Sequence, residues 1–91
     1  MRLAGKTAVV TGGATIIGQA VVRALYADGA HVVIADIDDV GAKAVADELG
    51  PDVLARHTDI TDDAEIAQCV AETVDRFGGV DILVNLACSY V

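Results

Sequence analysis

Apolar runs recur along the chain at Thr7 to Val10, His31 to Ala35, Val53 to Ala55 and Ile82 to Val84, and the stretches between them repeat their apolar positions at helical spacing. The pattern predicts strand, helix, strand, helix, strand, helix, strand. In the first predicted helix Gly18, Val21, Val22 and Leu25 share one side, while Gln19, Arg23 and Tyr26 lie away from it, and Gly29 is a natural stop. The second, from about Asp39 to Leu49, turns Ala42, Val45, Ala46 and Leu49 inward, shows Lys43, Asp47 and Glu48 to water, and ends at Gly50-Pro51. In the third, Thr61 is the expected N-cap and Asp62, Asp63 and Glu65 suit the positive end of the helix dipole. Ile66, Val70, Val74 and Phe77 form its expected buried stripe, and Gly78-Gly79 closes it.

Strands joined by helices must run parallel, with right-handed crossovers, which predicts an α/β fold with an open, doubly wound parallel sheet. In such sheets a ligand lies beyond the carboxyl ends of the strands, where strand order reverses. Gly12, Asp36, Asp59 and Asn85 all fall at or just past such ends. Separate segments thus point to one edge of the sheet.

Composition narrows the classes of partner. The 91 residues suffice for one small domain or part of a larger one, and two domains are excluded. With 54% apolar but only 3% aromatic residues, the core is aliphatic, as suits strands buried on both faces. A net charge of −8 repels phosphate backbones and anionic lipid, so neither nucleic acid nor a membrane surface is an expected partner. A pyrophosphate still fits, because backbone NH groups and a helix dipole can hold it without Lys or Arg. No signal-peptide core follows Arg2 and Lys6, and no apolar stretch reaches the roughly 20 residues of a membrane helix. Cys69 and Cys88 lie far apart and His31 and His57 have no ligand cluster in the sequence, so reduced thiols, no metal site and a cytoplasmic location are expected.

The chemistry concentrates in Thr11-Gly12-Gly13-Ala14-Thr15-Ile16-Ile17-Gly18, between the first strand and the first helix. Gly12 can take backbone angles closed to other residues, so the chain can leave the strand sharply and aim NH groups at a pyrophosphate. Alone, the loop reads equally as a tight turn without ligand. Asp36, eighteen positions beyond Gly18 at the end of the second strand, can accept from adenosine ribose hydroxyls. It would repel a 2′-phosphate, and neither the loop nor Ile37 offers an Arg, which favours NAD over NADP. Its plainer reading is a solvated acid, since Asp38 and Asp39 follow. Asp59 reads either as an acceptor for an adenine amino group, with the Ile60 NH donating to the ring, or as capping chemistry at a helix start. Asn85 ends a buried strand, and its side chain either ties neighbouring strands or meets the ligand. Cys88 lies near this edge with no basic neighbour to activate it, and reads as an inert thiol.

Together these residues resemble the short-chain dehydrogenase/reductase family over essentially the whole chain. The resemblance rests on Thr11-Gly12 and Gly18, the acid at Asp36, Asp59, and a variant of an Asn-Asn-Ala-Gly segment at Asn85 to Cys88. It implies a Rossmann-type sheet of four strands and three helices, and hydride transfer between nicotinamide and an alcohol or carbonyl carbon of a small-molecule substrate. It also implies NAD contacts at Gly12, Thr15, Ile16, Ile17, Gly18, Asp36, Ile37, Asp59, Ile60, Asn85 and Ala87. The chain departs from the family pattern where Ile16 replaces a loop glycine, and where Leu86 and Cys88 replace an Asn and a Gly. The family's Tyr-x-x-x-Lys pair is not found: no Lys follows Tyr90, and Tyr26 falls on the outer face of its helix. No catalytic residue is assigned. Three helices cannot cover both faces of four apolar strands, so residues 1–91 are expected to be the NAD-binding N-terminal half of one dehydrogenase domain, a homo-oligomer when intact. A non-catalytic nucleotide-binding module is the alternative, followed by an adenosyl-methionine methyltransferase, whose glycine loop is spaced differently.

Overall fold

The computed structural model describes residues 2–87, so Cys88 and Tyr90 lie outside the described residues. The elements follow as β1 (Thr7–Thr11), α1 (Ile16–Ala27), β2 (His31–Asp36), α2 (Asp39–Leu49), β3 (Val53–His57), α3 (Asp63–Phe77) and β4 (Ile82–Asn85). The strands form one parallel sheet in the order β3-β2-β1-β4. After β3 the order reverses, and β4 pairs on the far side of β1. That reversal opens a crevice above the ends of β1 and β4.

Each strand runs past its predicted apolar stretch because the parallel ladder continues through polar positions. Thr11 pairs with Ala35 and with Asn85, and Asp36 pairs with His57. Side chains alternate between faces. Val10, Val22, Val32, Ile34, Ala42, Val45 and Val53 make the larger core, under α1 and α2. Val9, Val33, Ala35 and Cys69 make the smaller one, under α3. Full burial of an aliphatic side chain such as Ile34 contributes about 1.5–3 kcal/mol. These strands are therefore set by what they bury on both faces.

The helix stops fall at the predicted glycines: Gly50 caps α2 with φ 102° and Gly78 caps α3 with φ 91°. Two expectations for α3 are corrected. Asp62, not Thr61, is the N-cap, its Oδ1 accepting from the Ala64 and Glu65 amides at 2.9 and 3.4 Å. Thr61 is engaged elsewhere, since its amide and hydroxyl both donate to Asp59 Oδ1. The buried line of α3 is Cys69 and Thr73, whereas Ile66, Val70 and Val74 stay 38%, 45% and 46% exposed. The helix sits over β1 and β2, so its sheet-facing line falls one residue from the most apolar stripe. The stripe faces the side of β4, where Leu83 is also exposed.

Candidate functional site

The end of β1 is built around Thr11. Its hydroxyl donates to Asn85 Oδ1 at 2.7 Å and accepts from the Leu86 and Ala87 amides at 3.1 and 3.3 Å. These bonds draw the chain after β4 against the turn after β1. Gly12 makes that approach sterically feasible: it has φ 72°, and a Cβ there would stand 2.9 Å from the Ala87 nitrogen.

From Gly12 the loop turns into α1. The Thr15 hydroxyl donates to the Gly12 carbonyl at 2.8 Å and accepts from the Gly18 amide at 3.0 Å, so Thr15 is the N-cap. Gly18 packs directly on the turn, where a Cβ would overlap the Gly12 carbonyl oxygen. The Ile16 and Ile17 amides open the helix and donate to no group among the described residues. Two NH groups at a positive helix end are an anion site in waiting. Ile16 takes helical angles, with no positive φ, and its side chain is 89% exposed. Its replacement of glycine leaves the loop unstrained.

Asp36 closes the next side. Its Oδ2 accepts from the Ala14 amide at 3.0 Å and its Oδ1 from the Asp38 amide at 2.9 Å, which locks the carboxylate between the loop and the start of α2. A carboxylate has about four acceptor positions, so capacity remains for donors in the cleft. Asp59 forms the third wall. The Thr61 hydroxyl, and then the Thr61 amide, hold its carboxyl below the usual carboxylate range. Asp59 therefore stabilises the turn before α3 and does not cap the helix, which Asp62 does, and its Oδ2 bonds to no group among the described residues.

Gly12, Thr15, Asp36, Ile37, Asp59, Ile60 and Ala87 line one cleft of about 320 Å³, together with Ala35, Thr58, Thr61 and Leu86. Ile16, Ile17 and Gly18 are not among its lining residues: the two isoleucines directly follow Thr15 with exposed side chains, and Gly18 is buried against the Gly12 turn. Asn85 is not in that cleft. It lines the adjoining cavity on the α3 side, which shares Ala35, Thr58 and Ile60 with the cleft, and its Oδ1 accepts from Thr11, as a tie between strands does. Thr58 is a site residue that the sequence reading does not single out, and Thr11 enters that reading only as the start of the glycine loop, without its role as a tie. Thr58 is buried, its amide donating to the Asp36 carbonyl at 3.0 Å. Their one signal is position, each adjoining a strand end.

The structure also gathers a cluster that sequence separation conceals. His57 Nδ1 lies 2.6 Å from Asp39 Oδ1, and His57 Nε2 lies 3.7 Å from Glu65 Oε1. That Glu65 oxygen also accepts from the Asp59 amide at 3.0 Å. Among the described residues no helix is long and apolar enough to cross a membrane.

Comparison with known proteins agrees with this geometry. Residues 6–90 match the short chain dehydrogenase family. The chain is 51% identical to a sorbitol dehydrogenase of Cereibacter sphaeroides, over 99% of this chain and 35% of that protein. It is 44% identical to a galactitol 2-dehydrogenase of Agrobacterium fabrum, again over 99% and 35%. It superposes with a TM-score of 0.86, at 40% identity, on a 3-ketoacyl-(acyl-carrier-protein) reductase from Brucella melitensis complexed with NADH, covering 89% of this chain and 34% of that one. The chain spans about a third of the length of these relatives. On its matched residues, its parallel sheet and its glycine turn, the chain belongs to the short-chain dehydrogenase family.

Proposed function

We propose that the cleft takes NAD, and that the protein acts as an NAD-dependent oxidoreductase on a small-molecule alcohol or carbonyl compound. One observation carries this reading: Gly12, Thr15, Asp36 and the Asp59 turn border a single cleft, and Thr15 is the N-cap of α1, whose first two amides, of Ile16 and Ile17, donate to no group among the described residues. The group fits what is present. Paired amides at a helix start suit a pyrophosphate, and a carboxylate with spare acceptor capacity suits a ribose diol.

Bound nicotinamide supplies the acceptor or donor for hydride. The chain's own residues hold and orient. Asp36 accepts from the ribose hydroxyls, and the same charge opposes a 2′-phosphate; no Lys or Arg lines the cleft among the described residues. Ile37, 65% exposed, offers an apolar side to the adenine, and Asp59 an acceptor for its amino group. The Brucella reductase named above is complexed with NADH, which supports the choice of cofactor class. In this reading residues 1–91 are the NAD-binding half of one Rossmann-type domain, within a cytoplasmic homo-oligomer.

Calorimetric titration with NAD and with NADP tests it. NAD is expected to bind at least about tenfold tighter. Asp36→Ala removes charge-assisted hydrogen bonds worth about 1.5–3 kcal/mol, so NAD should weaken about ten- to hundredfold and the gap to NADP should narrow. Equal affinity for both cofactors, or an Asp36→Ala protein that binds NAD as before, removes Asp36 from the ribose site.

A further inference from the structure

We propose that His57 is a positioning residue that joins the start of α2, which directly follows the Asp36-Ile37 wall of the cleft, to the Asp59 turn before α3, and that nucleotide binding therefore depends on its protonation. The proposal rests on the nucleotide reading of the cleft. Its basis is the chain of contacts from Asp39 through His57 to Glu65, and from Glu65 to the Asp59 amide. Asp39 opens α2, directly after the segment that carries Asp36 and Ile37. Glu65 lies in the first turn of α3. His57 is also the strand-register partner of Asp36, so it stands beside the acid assigned to the ribose.

The two ring nitrogens do different work. Neutral imidazole keeps one N–H, and Asp39 at 2.6 Å holds that proton on Nδ1. Only the imidazolium also carries a proton on Nε2, facing Glu65. Loss of that proton to solvent leaves the Asp39 contact and releases Glu65, whose Oε1 is the acceptor for the Asp59 amide. The pH-sensitive arm is therefore the one that reaches the adenine wall.

The surrounding charges favour the protonated ring. Asp39 faces it from α2, where Lys43 and Asp47 pair with each other further along. Asp36 adjoins it on β2, Asp59 lies in the turn beyond, and Glu65 faces it from α3. Arg56, its neighbour on β3, opposes them but is paired with Glu72, and Arg76 is tied to the Pro51 carbonyl. The hydrogen bond and then the charge of Asp39 raise the His57 pKa above its ordinary value, with Glu65 adding to the effect.

ADP-ribose, which carries the adenosine and pyrophosphate without nicotinamide, is titrated into the protein between about pH 6 and about pH 9, alongside H57Q and E65Q. Expected is a fall in wild-type affinity of about fivefold across that range, with a flat profile in both variants. By reciprocity, ADP-ribose should raise the His57 ring pKa measured by NMR. A wild-type slope that H57Q reproduces, or a ring pKa unmoved by ligand, overturns the proposal. The free protein gives a readout that needs no ligand: the Asp59 amide resonance should titrate with the His57 ring in the wild type and cease to do so in E65Q. An Asp59 amide indifferent to the ring overturns the clamp by itself. Undiminished ADP-ribose binding in D36A would instead strike at the nucleotide reading.

Discussion

At the scale of single residues, the site depends on atoms that are absent as much as on atoms that are present. Gly18 has no Cβ where one would overlap the Gly12 carbonyl, so Gly18→Ala must push α1 away from the turn. Overpacking of this kind costs about 1–3 kcal/mol, and urea unfolding should show a midpoint lowered accordingly. An unchanged midpoint would mean that α1 moves freely. Thr11 is the complementary case, a hydroxyl that serves Asn85 and two amides at once. Thr11→Val keeps the shape but removes the bonds to Asn85 and to the Ala87 amide, while the Leu86 amide keeps the Thr11 carbonyl at 3.1 Å, with an expected loss of about 1 kcal/mol. Because Asn85 is one of the partners lost, a double-mutant cycle with Asn85→Ala should show the two effects to be less than additive. Strict additivity would remove the tie. The glycines were readable from sequence because their spacing is itself the signal. The bonds of Thr11 and Thr58 were not, since a threonine beside a strand end looks the same whether it bonds across the sheet or meets only water.

Among the elements, α3 shows how far patterning reaches. Its existence, its extent and its glycine stop were legible in the sequence, but its cap and its buried line were not. Thr61 and Asp62 are both good caps by residue type, and the structure distinguishes them by orientation: the Thr61 hydroxyl is turned toward Asp59, whereas the Asp62 carboxylate accepts the first helix amides. Asp62→Ala should therefore cost about 1 kcal/mol, while Thr61→Ala should act mainly on the Asp59 turn. Thermal unfolding of the two variants, read beside the Asp59 ring of contacts by NMR, separates them; equal helix loss in both would restore Thr61 as a cap. The buried line differs from the apolar stripe because helix placement over β1 and β2 is a tertiary choice, invisible to periodicity. The ion pairs between elements carry a pH signature of known sign. His57 has a raised pKa, so its contribution to stability is complete below about 6.5 and is lost as pH rises through the raised value. Asp59 has a lowered pKa, so its contribution is complete above about 3.9 and is lost as pH falls through the lowered value. Unfolding midpoints against pH should lose the alkaline decline in H57Q and keep the acid one. A decline that persists unchanged in H57Q would assign it to another group.

For the molecule as a whole, strand order converts separate sequence positions into one site. Gly12, Asp36 and Asp59 stand at or just past the ends of β1, β2 and β3, which lie side by side, so a ligand laid across the sheet edge meets all of them. Asn85 ends β4 on the other side of β1 and lines the adjoining cavity on the α3 side, where it ties β4 to Thr11. The sequence order of strand ends was legible; which face each terminal side chain takes required the register. Net charge decides the last question, how an anionic dinucleotide approaches a chain of charge −8. No cationic side chain lines the cleft among the described residues, and the available donors are backbone amides at the start of α1. Attraction at hydrogen-bond range is screened little by salt, whereas the repulsion from surface carboxylates acts at long range and is screened. Raising ionic strength from about 0.1 M to about 1 M shrinks the Debye length from about 10 Å to about 3 Å. NAD affinity, followed by calorimetry with chloride as the added anion, should hold steady or rise over that span, and the association rate should increase. A loss of tenfold or more would mean that Lys or Arg side chains, not the Ile16 and Ile17 amides, carry the phosphates.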